Sequence, residues 1–437
     1  MTAPYIEDFQ AASEAGLGPA WLVEARRQAL ARFEQLGFPT PKNEDWHYTS
    51  VAPIAEAGFA TLRAASGDVR AEELTPYLVG DWPTLVFVNG RWAPELSTAA
   101  DRLPEGVRVG ALSAALRGEG GFSELLDRHL TRIADGETHA FTALNTALMT
   151  DGAVVHVAKE MVVDQPIHLL FVSDANAAKG ATHPRTLLVA ERHSKATVVE
   201  SYVGLGDATY FTNAVTEIVV DDGATLQHHR LQRESPRAFH VATADVRQGR
   251  DSHYVNFVLT MGAALSRSNV YTVLGGEGSG VTLNGLYMLT GEQHGDHQTR
   301  VEHAEPNCFS RELYKGLLDG ESHGVFNGKV YVRPVAQKTD GKQENNNLLL
   351  SATAKIDTKP QLEIFADDVR CTHGATVGRL DETALFYMRS RGVNATVARQ
   401  LLTYAFAADV LETIELEPLK EALEEMTLAR FIGDGSE

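Results

Sequence analysis

The chain is poor in cysteine. Of its 437 residues only Cys308 and Cys371 carry a thiol, which excludes a disulfide scaffold, a zinc ribbon and a cluster held by four cysteines of one chain. It is also short of positive charge, with 39 Lys and Arg against 58 Asp and Glu and a formal charge of −19. Such a balance repels phosphate backbones and anionic membrane surfaces. No stretch approaches the ~18 apolar residues of a membrane span. Met1 to Gln10 carries Glu7 and Asp8 and no apolar run, so a signal peptide is not expected there. A soluble cytoplasmic protein is the expectation. Nucleotide-binding loops are missing as well: Gly275–Gly280 is glycine-rich but no Lys follows it, and Gly324–Lys329 has the wrong spacing with Val330 where Ser or Thr is needed. The chain is therefore not expected to hydrolyse ATP by itself, and Gly275–Gly280 reads as a turn.

What is present divides into three regions, 1–150, 151–378 and 379–437. In the first, Trp21, Leu22, Ala25, Ala29, Leu30, Phe33 and Leu36 recur at helical spacing, and Gly37 and Pro39 stop the helix. Leu85–Trp92, reading LVFVNGRW, predicts a hairpin turned by Asn89-Gly90. Phe122–Thr131 returns to a short helical pattern.

The middle region is a succession of strand-like runs rich in Val, Thr, Leu and Tyr. Lys195, Gly223, Asp251 and Ser279 open similar triplets at steps of 28 residues, and the runs from Arg185, Asn213, Val241 and Asn269 keep the same step. A fixed period with two strands per unit predicts a mainly β fold, a parallel β-helix whose apolar positions stack from coil to coil. An irregular β-sandwich is the alternative.

The last region is helical. Asn394 is a candidate N-cap for a helix carrying Val397, Leu401, Tyr404, Ala405, Ala408 and Leu411, and a second amphipathic stretch, Leu419–Ile432, follows Pro418. Such helices either cap one end of the coil stack or dock a partner. Capping is the plainer expectation, because an open edge of strands invites aggregation.

Sixteen histidines include the pairs His228-His229 and His294/His297, which read as surface or coil-lining residues, and Cys308 reads as a small buried hydrophobe. The densest chemistry lies in Ala366–Gly378. Cys371 and His373 are two apart, so on a strand both side chains leave one face and can address one ion. Thiolate and imidazole suit iron, copper or zinc, but two ligands cannot close a four-coordinate site. Either an interface supplies the rest, or there is no site and the strand holds a buried Cys. Asp367-Asp368 beside His373 also raises a stand-alone carbohydrate-active β-helix enzyme, although adjacent strand residues face opposite ways. A homodimeric structural protein with no ligand is a third alternative.

The segments SRELYKGLLDG, FNGKVYV, AQKTDGKQENNNLLLS, TKPQLEIFADDVRCTHGATVG and LFYMRSRGVNATVARQLL, in order from Ser310, resemble the SufB/SufD family of iron–sulfur cluster assembly scaffold proteins. The N-terminal PAWLVEARRQALARFEQLGFPTPKNEDWHYTS and LVFVNGRW, with the low cysteine content, are similar to the SufD branch. The resemblance implies a right-handed parallel β-helix flanked by N- and C-terminal helical regions. It implies a non-catalytic scaffold subunit that pairs with SufB and with the ATPase SufC, which would hydrolyse the ATP. Cys371 and His373 would lie at the SufB interface, where a transient nascent Fe–S cluster is shared. The helix carrying Asn394, Val397, Leu401, Tyr404, Ala405 and Ala408 would contact SufC. A reduced flavin in the complex and a homodimer of the isolated chain stay open.

Overall fold

The computed structural model describes residues 3–14, 18–62, 69–98 and 102–431. Its centre is a parallel β-solenoid of about eight turns, in which successive strands are dealt alternately to two sheets. The first sheet runs, strand to neighbouring strand, from Ala153–Val157 through Arg185–Ala190, Phe211–Val220, Phe239–Gln248, Leu265–Leu274, His294–His303 and His323–Val332 to Lys355–Ile364. The second runs from Thr84–Val88 through Ile167–Ser173, Lys195–Gly204, Thr225–Arg233, His253–Thr260, Gly280–Leu289, Phe309–Leu318 and Asp340–Leu349 to Arg370–Gly378. Alternate residues of each strand face the lumen. They stack in files such as Leu226, Tyr254 and Val281, and the dominant apolar core fills the space between the sheets.

The repeat is less regular than the expected step of 28. Lys195 pairs with Thr225 rather than Gly223, Val241 pairs with Arg267 rather than Asn269, and Val325 pairs with Asp357. The coils thus differ in length because turns absorb the difference while the strand register is kept; Gly275–Gly280 spans one such turn. The helix Ala20–Leu36 ends at Gly37 with φ 63°, and the Asn89-Gly90 turn has φ 50° and 78°, as the sequence led us to expect. The short helix predicted over Phe122–Thr131 spans Ser123–His129.

The two ends of the solenoid differ. At the N-terminal end both sheets finish in an antiparallel strand: Val107–Ala111 on Ala153–Val157, and Arg91–Trp92 on Thr84–Val88. The helical N-terminal region is tied to the coils by buried polar contacts. Arg185 pairs with Glu217 at 2.8 Å, and Glu217 also accepts the backbone N–H groups of Thr131 and Ile133 at 2.8 Å each. At the C-terminal end the strands Lys355–Ile364 and Arg370–Gly378 pair with no further strand among the described residues.

The helices Glu382–Ser390, Ala395–Leu411 and Glu417–Phe431 do not cap that end. They lie along the flank of the second sheet, where Ala398, Ala407, Val410, Leu411, Leu419 and Leu423 pack on Leu231, Phe257, Leu259, Leu286 and Leu317. Polar pins fix them there: Lys315 Nζ donates to the Phe406 carbonyl at 2.9 Å and pairs with Asp409 at 2.5 Å, and Asn284 bonds Thr413 at 2.9 Å. The outward apolar faces of the strands attract the helices, and covering those faces buries more apolar area than covering a strand edge would. Ile432 lies outside the described residues.

Candidate functional site at the open end

Strand Arg370–Gly378 holds its register on Asp340–Leu349 through Gly341↔Cys371 and Gln343↔His373. Those partners belong to lumen files. Cys371 continues Val281, Ser310 and Gly341; His373 continues Leu283, Glu312 and Gln343. Both side chains therefore leave the strand on the lumen side, as the spacing of two predicts. Cys371 is half-buried and packs with Val330, Val332, Ala336 and Ala366. Burial raises its thiol pKa, and the charge of Asp340 adds to the rise while a backbone bond at Gly341 opposes it. As it stands the thiol is a protonated neighbour rather than an activated thiolate. His373 is exposed, since no coil lies beyond it.

Among the described residues no group of three or more His, Cys, Asp or Glu side chains could hold a metal ion. Cys371 and His373 thus amount to part of a coordination shell at most. Their surroundings are an open strand edge flanked by exposed apolar groups, with Val377 51% and Phe365 56% exposed. Asp367 and Asp368 sit in the turn before the strand, and Lys338 pairs with Asp368. The carboxylates do not form a cleft pair, and the enzyme alternative loses its one motif.

The helix Ala395–Leu411 is capped by Asn394, whose side chain accepts the Thr396 N–H at 2.8 Å. Its apolar residues divide into two stripes. Ala398, Thr403, Ala407, Val410 and Leu411 are buried, so Leu411 does not share one face with Val397 and Leu401 as the apolar spacing predicts. Val397 and Leu401 stay 44% and 45% exposed, Ala405 is exposed, and Tyr404 and Ala408 are half-buried. Phe386 and Tyr387 on the preceding helix extend this apolar surface.

Sequence reasoning missed the polar interior. Glu200 is fully buried; burial alone would raise its pKa, but bonds from His228 at 2.9 Å and Tyr202 at 2.7 Å hold it below the usual value. Nearer the open end Glu312 accepts from Thr299 at 2.6 Å and from Gln343 at 3.1 Å. The alternation of Gln343, Asn345 and Asn347, all buried, was the available signal, because three amides on one strand face need partners inside the coil.

The architecture defines a class: a solenoid whose two sheets end in antiparallel strands at one end and are unpaired among the described residues at the other, with Cys371 and His373 on the unpaired edge. Comparison with known proteins is specific. Residues 171–406 match the SUF system FeS cluster assembly SufBD core domain, and residues 5–169 match the SufBD protein N-terminal region. The chain is 35% identical over 398 residues to the iron–sulfur cluster assembly protein SufD of Escherichia coli, covering 90% of each. It is 35% identical over 422 residues to an iron–sulfur cluster assembly SufBD family protein of Synechocystis, covering 94% of this chain and 91% of the relative. SufD of Bacillus subtilis is 29% identical over 431 residues. The chain belongs to the SufBD family and acts in SUF iron–sulfur cluster assembly.

Proposed function

We propose that this chain is the SufD-type scaffold subunit, non-catalytic by itself, which joins a SufB-type chain edge to edge at the open end of the solenoid. The observation that carries this reading is the asymmetry of the ends: one is closed by antiparallel strands, whereas the other leaves both sheets unpaired beside Cys371 and His373. Unpaired edges are what natural β proteins otherwise cover. The nascent Fe–S cluster is the cargo of this interface. His373 would offer a neutral imidazole nitrogen to iron, Cys371 a thiolate once metal displaces its proton, and the partner the remaining ligands. Val397, Leu401, Tyr404, Ala405 and Ala408 on the helix capped by Asn394 would form the docking face for a SufC-type ATPase, in the manner of an apolar helix face in a groove. The setting would be the cytoplasm; no helix among the described residues is long and apolar enough to cross a membrane.

Anaerobic co-expression with candidate SufB and SufC chains, followed by iron and sulfide analysis, tests this. A complex that assembles with either residue but accumulates clusters only with His373, and not with His373→Ala, is expected. Failure of any partner to co-purify would remove the scaffold reading, and equal cluster content in the two would remove His373 from the site.

A further inference from the structure

The file that ends in His373 has a feature the cluster role does not explain. Glu312, Gln343 and His373 occupy consecutive rungs in strict register, so their backbones are about 4.8 Å apart. The Gln343 side chain is fully buried, and its Nε2 donates backwards to Glu312 Oε1 at 3.1 Å. Its carbonyl Oε1 is buried and has no hydrogen-bond partner. An unsatisfied amide oxygen in the lumen costs free energy, and the next rung along the file is His373. Across the lumen the wall is cut back for this amide: a Cβ on Gly328 would lie 2.2 Å from Gln343 Nε2 and 2.7 Å from its Cδ. Glycine at 328 leaves room for the amide, and the ionised form of Glu312 fixes which way round it sits, since a carboxylate accepts only from the NH₂ side.

We infer that Gln343 is a positioning residue for His373: its Oε1, which has no partner in this structure, is the acceptor for the N–H of one imidazole nitrogen once the exposed ring turns towards the lumen, and the other nitrogen, with its lone pair, is then left directed out of the open end. Hydrogen bonding at one ring nitrogen decides which nitrogen is left to bind a metal. Glu312 is the second member of the relay: it orients Gln343 and does not touch His373. Burial pushes the Glu312 carboxyl up to about 7, with the bonds from Thr299 and Gln343 pulling the other way. The inference rests on His373 being the functional residue of the open end, but its test does not require a cluster.

The test is a ¹⁵N-histidine spectrum of the full-length apo chain, with the His373 signals assigned by their loss in His373→Gln. The two ring nitrogens report the tautomer directly. One tautomer is expected to dominate in the native chain. Gln343→Met and the shorter Gln343→Asn should each shift the ratio by about fivefold towards that of a solvated imidazole, the worth of one ordinary hydrogen bond. The double exchange Glu312→Gln with Gln343→Glu keeps a donor facing an acceptor and, read at a pH where the ring is neutral, should restore the preference for the native tautomer. A merely structural role for Gln343 would alter thermal stability without moving the tautomer. An unchanged ratio in Gln343→Met or Gln343→Asn, in chains that melt as the native one does, overturns the inference. If instead the ratio moves as expected while His373→Ala assembles clusters normally, the positioning stands and the cluster role of His373 falls.

Discussion

Asp245 faces outward from the first sheet yet is almost wholly buried, and its Oδ2 has no hydrogen-bond partner. Burial, with the charge of Glu217 adding to it and Arg185 opposing, lifts its carboxyl from 3.8 to about 8. Between those values the folded chain keeps a proton that the unfolded chain releases, so this residue makes stability fall as pH rises from about 4 to about 8. Asp245→Asn should flatten that decline, because the amide never ionises. Melting curves at pH 5 and pH 8 check it: the variant's loss of Tm between the two should be smaller than the native chain's. At the same scale, that Cys371 and His373 leave one face of their strand was legible from their spacing. Glu312 was not, because a lone polar residue on a strand looks the same in sequence whether it faces a lumen or solvent, and Gln343 was signalled only by its alternation with Asn345 and Asn347.

At the scale of elements, the helix Ala395–Leu411 shows where sequence patterning reaches its limit. Its apolar residues cover more than one face, so periodicity gave the helix and its Asn394 cap but could not tell the stripe that meets the sheet from the stripe that stays outside. Whether it capped the stack or lay on its flank was equally undetermined, since both need an apolar face. Leu411→Ala should cost about 2–5 kcal/mol, as for other fully buried leucines, and hydrogen exchange should localise the loosening to the three C-terminal helices rather than to the strands. Leu401→Asp, on the exposed stripe, should leave Tm within a degree or two, as surface substitutions do, while abolishing co-purification with the ATPase. Strand periodicity was read more successfully than its numbers deserved. The step of 28 held for Asn213↔Val241, where the pairing is direct, and slipped wherever a turn gained or lost residues.

At the scale of the whole molecule, the exposed residues Ile364 and Val377 stand on the last strands of the two sheets. Placing Lys at both should stop another strand from adding there, since edge lysines are a natural block to pairing. The expected outcome is an unchanged melting temperature for the isolated chain and loss of the SufB-type partner in pull-down, with ATPase capture retained. Loss of both partners together would mean that the helical flank and the strand edge are one surface.

The unequal ends also fix how the molecule comes apart. Strand pairing joins each coil only to its neighbours, the C-terminal helices add contacts across the coils of Leu231 to Leu317, and the strand Arg370–Gly378, paired on one side only, has the smallest share. An unaccompanied chain should therefore unravel from Arg370–Gly378 backwards, and a partner laid on that strand turns the weakest rung into an interior one. The number of chains surviving in a cell would then depend on the supply of partners, since a chain left alone offers its loosened last rung to proteases first.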